Sequence, residues 1–290
     1  GQITKYGNVA KMKSSGLEVS VSGTILKDAE FSWTSSFVFT RATNKITELE
    51  NHKRVLDLIS GNGFGVEGYP VRSMFSIPFN KLDINGLPIF QGPDGPTTTG
   101  IYFQERDNVG FLKYDGPTEP TTMGSFGNIW GYKGFKLNAF FTYSFGNVVR
   151  LDPVYQTRYS DLTATTKEFW DAWTVPGDET TTNVPVILDN RFIRNDNEYR
   201  YAYNAYNYST VNIAKGDFIR LKDLSLSYDL SKEVVNSLKI ASLGFRFNVT
   251  NLWLIYADKR LNGQDPEFVN AGGVALPIPR QYTLTVRLGL

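Results

Sequence analysis

The chain has 290 residues and a net charge of +1, from 30 basic and 29 acidic side chains, with no cysteine and one histidine, His52. That balance offers no electrostatic handle for nucleic acid or an anionic membrane surface, and it excludes disulfide scaffolds and thiolate metal sites. A lone histidine makes a zinc centre or a Ser-His-Asp site improbable, so no metal, no cofactor and no enzymatic activity are expected.

Aromatic residues make up 14 % of the chain, with 20 Phe, 16 Tyr and 5 Trp, although mean hydropathy is −0.27. Many aromatics without long apolar runs is what alternating strands produce. No segment approaches the ~20 consecutive apolar residues of a membrane helix. The sequence opens on GQITKYGNVAK without a signal peptide or an initiating Met, and residues 1–290 are expected to be one portion of a longer precursor.

In chain order, Leu17, Val19, Val21 and Ile25 share one phase of a period-two pattern, opposite Glu18, Ser20, Ser22 and Thr24. A tight polar turn at Lys27–Glu30 leads to Phe31, Trp33, Phe37 and Phe39, which alternate with Ser32, Thr34, Ser36 and Thr40. Two such runs joined by a short turn predict a hairpin. Residues 44–121 read as irregular, with a polar, helical piece over Ile46–Ile59 and small extra hairpins around GLPIFQGPDG.

A second hairpin bends at Lys133-Gly134. In its second strand Phe135, Leu137, Ala139, Phe141, Tyr143 and Phe145 lie on one face. The long connection 148–216 predicts a short helix over SDLTATTKEFWDAW, capped by Ser160 or Asp161, followed by the Tyr/Asn tract NEYRYAYNAYNYST. In DFIRLKDLSLSYDL, Ile219 and Leu221 are out of phase with Leu224, Leu226, Tyr228 and Leu230, which predicts a β-bulge near Lys222-Asp223. Leu243, Phe245, Phe247 and Val249 alternate again, and RQYTLTVRLGL closes the chain with Tyr282, Leu284, Val286, Leu288 and Leu290 in one phase.

Three features favour a membrane barrel. Strands of about 10 to 13 residues exceed the usual length and suit a tilted crossing. Short turns at Asp28, Lys133 and Ser231–Lys239 alternate with long loops, as periplasmic turns and outer loops do. Glu18, Lys136, Arg246 and Arg287 all fall on the polar phase, where they avoid the roughly 2–4 kcal/mol that a charge costs at mid-bilayer. The fold class is therefore all-β: about seven to nine strands of a large antiparallel transmembrane β-barrel with long outer loops, its other strands expected upstream. Alternating aromatic strands also build soluble sandwiches, so a soluble carbohydrate-binding β-sandwich stays open.

The stretches GDFIRLKDLSLSYDLSKEVVNSLKIASLGFRFNVTNLW, LNGQDPEF and PIPRQYTLTVRLGL resemble the C-terminus of the SusC/RagA family of TonB-dependent outer-membrane transporters. KMKSSGLEVSV, EFSWTSSFVF, GYPVRSMFSIPF and YKGFKLNAFFTYSFGN resemble earlier family segments in the same order, so the likeness covers most of the chain. It implies the C-terminal part of a barrel of roughly 22 strands with a plugged lumen, in the outer membrane of a Gram-negative, Bacteroidetes-type bacterium. The implied function is TonB-dependent import of oligosaccharides as the SusC-like partner of a SusD-like surface lipoprotein. Alternatives are a peptide importer of the RagA type and a surface glycan-binding barrel without transport. The implied partners are that lipoprotein, the TonB complex acting through an upstream plug, the oligosaccharide or peptide cargo, and outer-membrane lipid.

Candidate cargo-binding or lid-contacting residues are Trp170, Trp173, Tyr199, Tyr201, Tyr203, Tyr206 and Tyr208, whose rings suit sugar faces. Asn190, Asn195, Asn204 and Asn207 suit hydroxyls. The competing reading is that these aromatics pack the loop itself or meet a protein partner. LDING (82–86) and DNRFIRNDNE (189–198) bring oxygen ligands together without calcium-site spacing and are expected to be ordinary turns. Trp33, Trp130, Trp253 and Tyr256, near strand ends, are candidates for interfacial aromatics, or for packing between neighbouring strands.

Overall fold

The computed structural model describes residues 10–98, 101–155, 165–189, 196–269 and 279–290. Two long strands come first, β1 Ala10–Lys27 and β2 Phe31–Leu49. Five short ones follow: β3 Ser73–Ser76, β4 Phe79–Leu82, β5 Pro88–Gly92, β6 Gly95–Thr97 and β7 Lys113–Pro117. Then come β8 Thr122–Tyr132, β9 Phe135–Phe145, β10 Val148–Arg150, β11 Ile213–Lys215, β12 Phe218–Asp229, β13 Ser242–Ala257 and β14 Gln281–Gly289. The α-helices are α1 Val55–Leu58, α2 Asn197–Asn207 and α3 Lys232–Ser237.

Among the described residues, β1, β2, β8, β9, β12, β13 and β14 form one antiparallel seven-stranded sheet in that order. Its register carries the apolar phase of each strand onto that of the next. Val21 stands opposite Phe37, Phe37 opposite Phe126, and Phe126 opposite Phe141. Farther along, Leu137 faces Leu226, Leu226 faces Phe247, and Phe247 faces Leu284. Because residues directly opposite share a face, the sheet has one continuous apolar side. Protein does not cover that side: Val21, Phe37, Phe126, Leu226, Phe247 and Leu284 are all exposed. So large an apolar surface marks contact with lipid or another protein.

The bulge expected near Lys222-Asp223 is present. Both ladders of β12 skip Lys222 between Leu221 and Asp223, so Leu221 faces Phe141 while Leu224 faces Ala139 on the same side. β13 answers with an extra pair, Asn251 and Leu252, at the same level, and Asn251 takes a left-handed φ of 53°. Without these insertions Ile219 and Leu221 would turn to the polar face.

The connections at 28–30, 133–134 and 230–241 are short, the last holding α3, and all lie at one end of the sheet. The long connections 50–121, 146–217 and 258–280 leave from the other. Since β2 pairs directly with β8, the described residues of 50–121 contribute no strand to the sheet, which has seven strands among the described residues. The helix expected over Ile46–Ile59 is corrected. Ile46–Leu49 continue β2 because β1 extends back to Ala10 and pairs with them, which leaves α1 a single turn.

Above the sheet the two longest loops pack into one body. Val55, Ile59, Phe75, Ile77 and Phe90 from the first share a buried core with Val154, Tyr155, Val184, Ala202, Tyr203, Ala205 and Tyr206 from the second. Backbone bonds tie them: Ile77 N–H donates to Tyr208 O at 3.1 Å, Thr210 N–H to Ile77 O at 3.0 Å, and Val186 N–H to Gly86 O at 3.0 Å. With each large apolar side chain worth about 1.5–3 kcal/mol on burial, these connections form a packed module.

Candidate functional site

The Tyr/Asn tract proves to be helix α2, capped by Asp196, whose carboxylate accepts from Glu198 N–H at 2.8 Å. Ala202, Tyr203, Ala205 and Tyr206 recur at helical spacing and form its buried face, a pattern visible in NEYRYAYNAYN that marks a helix rather than an irregular tract. The helix expected over SDLTATTKEFWDAW is corrected to a 3₁₀ turn at Lys167–Asp171 within the described residues. Its Ser160 or Asp161 cap lies outside them, as do Asn190, Asn195 and most of DNRFIRNDNE.

The aromatic candidates divide by burial. Tyr203 and Tyr206 are only 3 % and 2 % exposed. The Tyr203 ring packs edge-on to Tyr155 at 4.3 Å and its hydroxyl donates to Val186 O at 2.5 Å. Tyr206 meets Phe79 at 5.8 Å, and burial pushes its phenol above the ordinary tyrosine range. Tyr208 is half-buried between Phe103 and the Arg150 guanidinium, at 5.7 and 5.4 Å. Trp173 is buried with its ring over Gly86, where φ is 74° and a side chain would strike the indole; its Nε1–H donates to Glu179 at 3.1 Å. Asn207 clasps Tyr155, donating to its carbonyl at 2.8 Å and accepting from its N–H at 3.2 Å.

These rings and amides are engaged in packing the module. Trp170, 86 % exposed, and Tyr201 stand out from it, with Tyr199 and Asn204 half-covered. Physically, the exposed indole and phenol offer flat apolar faces to a sugar ring or a protein surface. Trp33 and Trp130 face each other across β2 and β8 at the short-turn end, and Trp33 Nε1–H donates to Asn128 at 2.9 Å. Trp253 and Tyr256 lie exposed toward the other end of β13. LDING is an Asx turn, with Asp83 accepting from Asn85 and Leu87 N–H, both at 2.8 Å. Among the described residues no three His, Asp or Glu side chains are placed to hold a metal ion.

Two buried arginines carry polar organisation that the sequence patterns did not mark. Arg150, 5 % exposed, follows β9 into the module and donates to Phe75 O at 2.9 Å and Ser76 Oγ at 3.1 Å. Burial lowers it to about 10 and raises the neighbouring Asp115. Arg220, on the polar phase of β12, holds Asp265 at 2.5 Å and Glu267 at 3.4 Å.

No protein-family profile matches the chain. It is similar to two curated proteins of Formosa agariphila: TonB-dependent receptor P39, 23 % identical over 93 % of this chain, and TonB-dependent receptor P3, 25 % identical over 92 %. It spans 29 % and 26 % of their lengths, well under a third. Among solved structures, the RagAB peptide transporter superposes with a TM-score of 0.74 at 22 % identity, over 99 % of this chain and 30 % of that one. The RagAB peptide importer in its open-open state gives 0.70 at 21 % identity. The fold is therefore that of the matching part of the RagA barrel, and the open seven-stranded sheet is a segment of such a wall.

Proposed function

We propose that this chain, like the SusC/RagA-type TonB-dependent transporters whose C-terminal portion it resembles, is the C-terminal barrel wall of an outer-membrane importer. The observation that carries the reading is the unbroken apolar face crossing all seven strands, with the polar phase and its charges on the other side. A lipid-facing exterior and a hydrated passage require that sorting, whereas a soluble sandwich would cover its apolar face with a second sheet. As part of the same reading, Trp33 and Trp130 mark one membrane interface and Trp253 and Tyr256 the other. Residues 1–290 belong to a single barrel domain, and the host membrane is the outer membrane of a Gram-negative bacterium of the Bacteroidetes type.

The cargo in this reading is an oligosaccharide, delivered beneath a SusD-like surface lipoprotein and drawn in by the TonB complex. Trp170 and Tyr201 are the rings left to stack on it or on the lipoprotein. The peptide reading has its own support in the likeness to RagAB. Uptake by cells expressing the full-length protein separates the two when labelled oligosaccharide and peptide pools are supplied with and without functional TonB. TonB-dependent accumulation of sugars supports the first reading, and of peptides the second. Accumulation that ignores TonB, or deletion of the protein without effect on either pool, overturns both.

A further inference from the structure

The connection after β13 does not stand free above the sheet. Asp258 accepts from Lys215 N–H at 2.8 Å, and Leu261 is buried with Val149 and Ala214 where β10 and β11 pair. Gln264 donates to Asp152 at 3.2 Å, and Asn262 donates to Glu168. The chain then turns at Asp265, whose carboxylate takes Glu267 N–H at 3.1 Å as well as the Arg220 guanidinium, while its carbonyl accepts from Phe268 N–H at 3.0 Å.

The side chains of Arg220 and Asp265 are each 4 % exposed. Arg220 is the third residue of β12 at the long-loop end, and it projects from the face opposite Leu221, which is the polar one. A segment tied to that side chain lies against the polar face, inside the wall. Such burial of a guanidinium and a carboxylate is strongly unfavourable unless the two are held together, so the pair locks the position of the segment.

We infer that residues 261–268 are a fixed inner rim at the outer end of the wall, that Arg220 is its positioning residue, and that this rim shapes the passage cargo enters. The inference rests on the importer reading above. The rim presents the exposed Asn262 and Glu267, and Arg260, paired with Asp258, immediately precedes it; these are polar groups of both signs suited to a hydrated, hydrogen-bonding cargo. It also ties the wall to the loop module through Asp152 and Glu168, so displacing it would disturb both.

The test uses the full-length protein and two readouts. Removing Arg220 alone would strand a buried carboxylate, so the informative variant neutralises the whole set: Arg220→Met with Asp265→Leu and Glu267→Gln. Trypsin cleavage after Lys259 and Arg260 reports the rim without reference to transport. Release of the latch is expected to raise its rate about tenfold, as local opening becomes easier. Cargo uptake is expected to show a higher KM at unchanged maximal rate, with Arg220→Lys falling between the triple variant and wild type in both readouts, because lysine keeps the charge and loses the guanidinium fork.

Wild-type cleavage rates in the triple variant would overturn the latch. Faster cleavage with unchanged uptake would overturn the role of the rim in passage. If the triple variant does not assemble, Arg220→Lys decides: intermediate cleavage supports the latch and wild-type cleavage refutes it. If the unaltered protein imports neither cargo, the importer reading fails while cleavage still reports on the latch.

Discussion

Tyr143 reaches across Gly124. Its hydroxyl donates to Val38 O, two strands away, at 3.0 Å, and a Cβ at position 124 would collide with both that hydroxyl and the carbonyl. Gly124 lies opposite Tyr143 on one side and Phe39 on the other, so an aromatic covers the gap the glycine leaves. Gly124→Ala is expected to cost about 1–3 kcal/mol through overpacking and to lower the yield of folded barrel. Tyr143→Phe should lose only the hydrogen bond, about 0.5–1.5 kcal/mol, and keep the register. Heat-modifiable electrophoresis of the two variants in membrane preparations separates these outcomes.

The two faces of β14 predict opposite responses to charge. Leu284 is 70 % exposed on the apolar side, and Thr283 is its neighbour on the polar side. Leu284→Arg should destabilise the assembled barrel by roughly 2–4 kcal/mol if that side meets lipid, and Thr283→Arg by much less. Denaturant unfolding in liposomes measures both. Equal effects would contradict the assignment of faces.

The loop module should depend on its buried tyrosines and not on its exposed tryptophan. Tyr206→Ala opens a cavity against Phe79 and Tyr155 and is expected to cost about 3–5 kcal/mol. Protease cleavage within 148–216 should accelerate, while the barrel remains heat-modifiable. Trp170→Ala removes a ring already in solvent and should change module stability by no more than about 0.5 kcal/mol; under the proposed importer reading, any loss of cargo or lipoprotein affinity is then a direct effect.

Asp115 is expected to give the module a pH dependence. Burial raises its pKa above the ordinary 3.8, against the opposing pull of Ser76 and Arg150. Between 3.8 and that raised value the folded module keeps a proton that the unfolded chain has released. Stability from this group is therefore complete below 3.8 and is lost as pH rises through the folded pKa. Asp115→Asn should remove this contribution, so the difference between wild-type and variant unfolding midpoints, followed by proteolysis from acid to neutral pH, should change across that window. A constant difference would show that Asp115 titrates normally.

What could be read in the residues themselves was the wall. Period-two alternation places side chains on two faces wherever a strand forms, so Phe135 through Phe145 specified their own sorting. The phase break between Leu221 and Leu224 specified the bulge. Local periodicity also held the helix in NEYRYAYNAYN, through Ala202, Tyr203, Ala205 and Tyr206, although the tract first reads as a binding surface. Only the tertiary structure decided which rings were spent: Tyr206 is buried because Phe79, more than a hundred residues earlier, comes to meet it, and nothing local encodes that encounter. The same holds for Arg220 and Asp265. A charged side chain near a strand end reads as solvated until a distant carboxylate closes over it, because burial and pairing are properties of the packed chain.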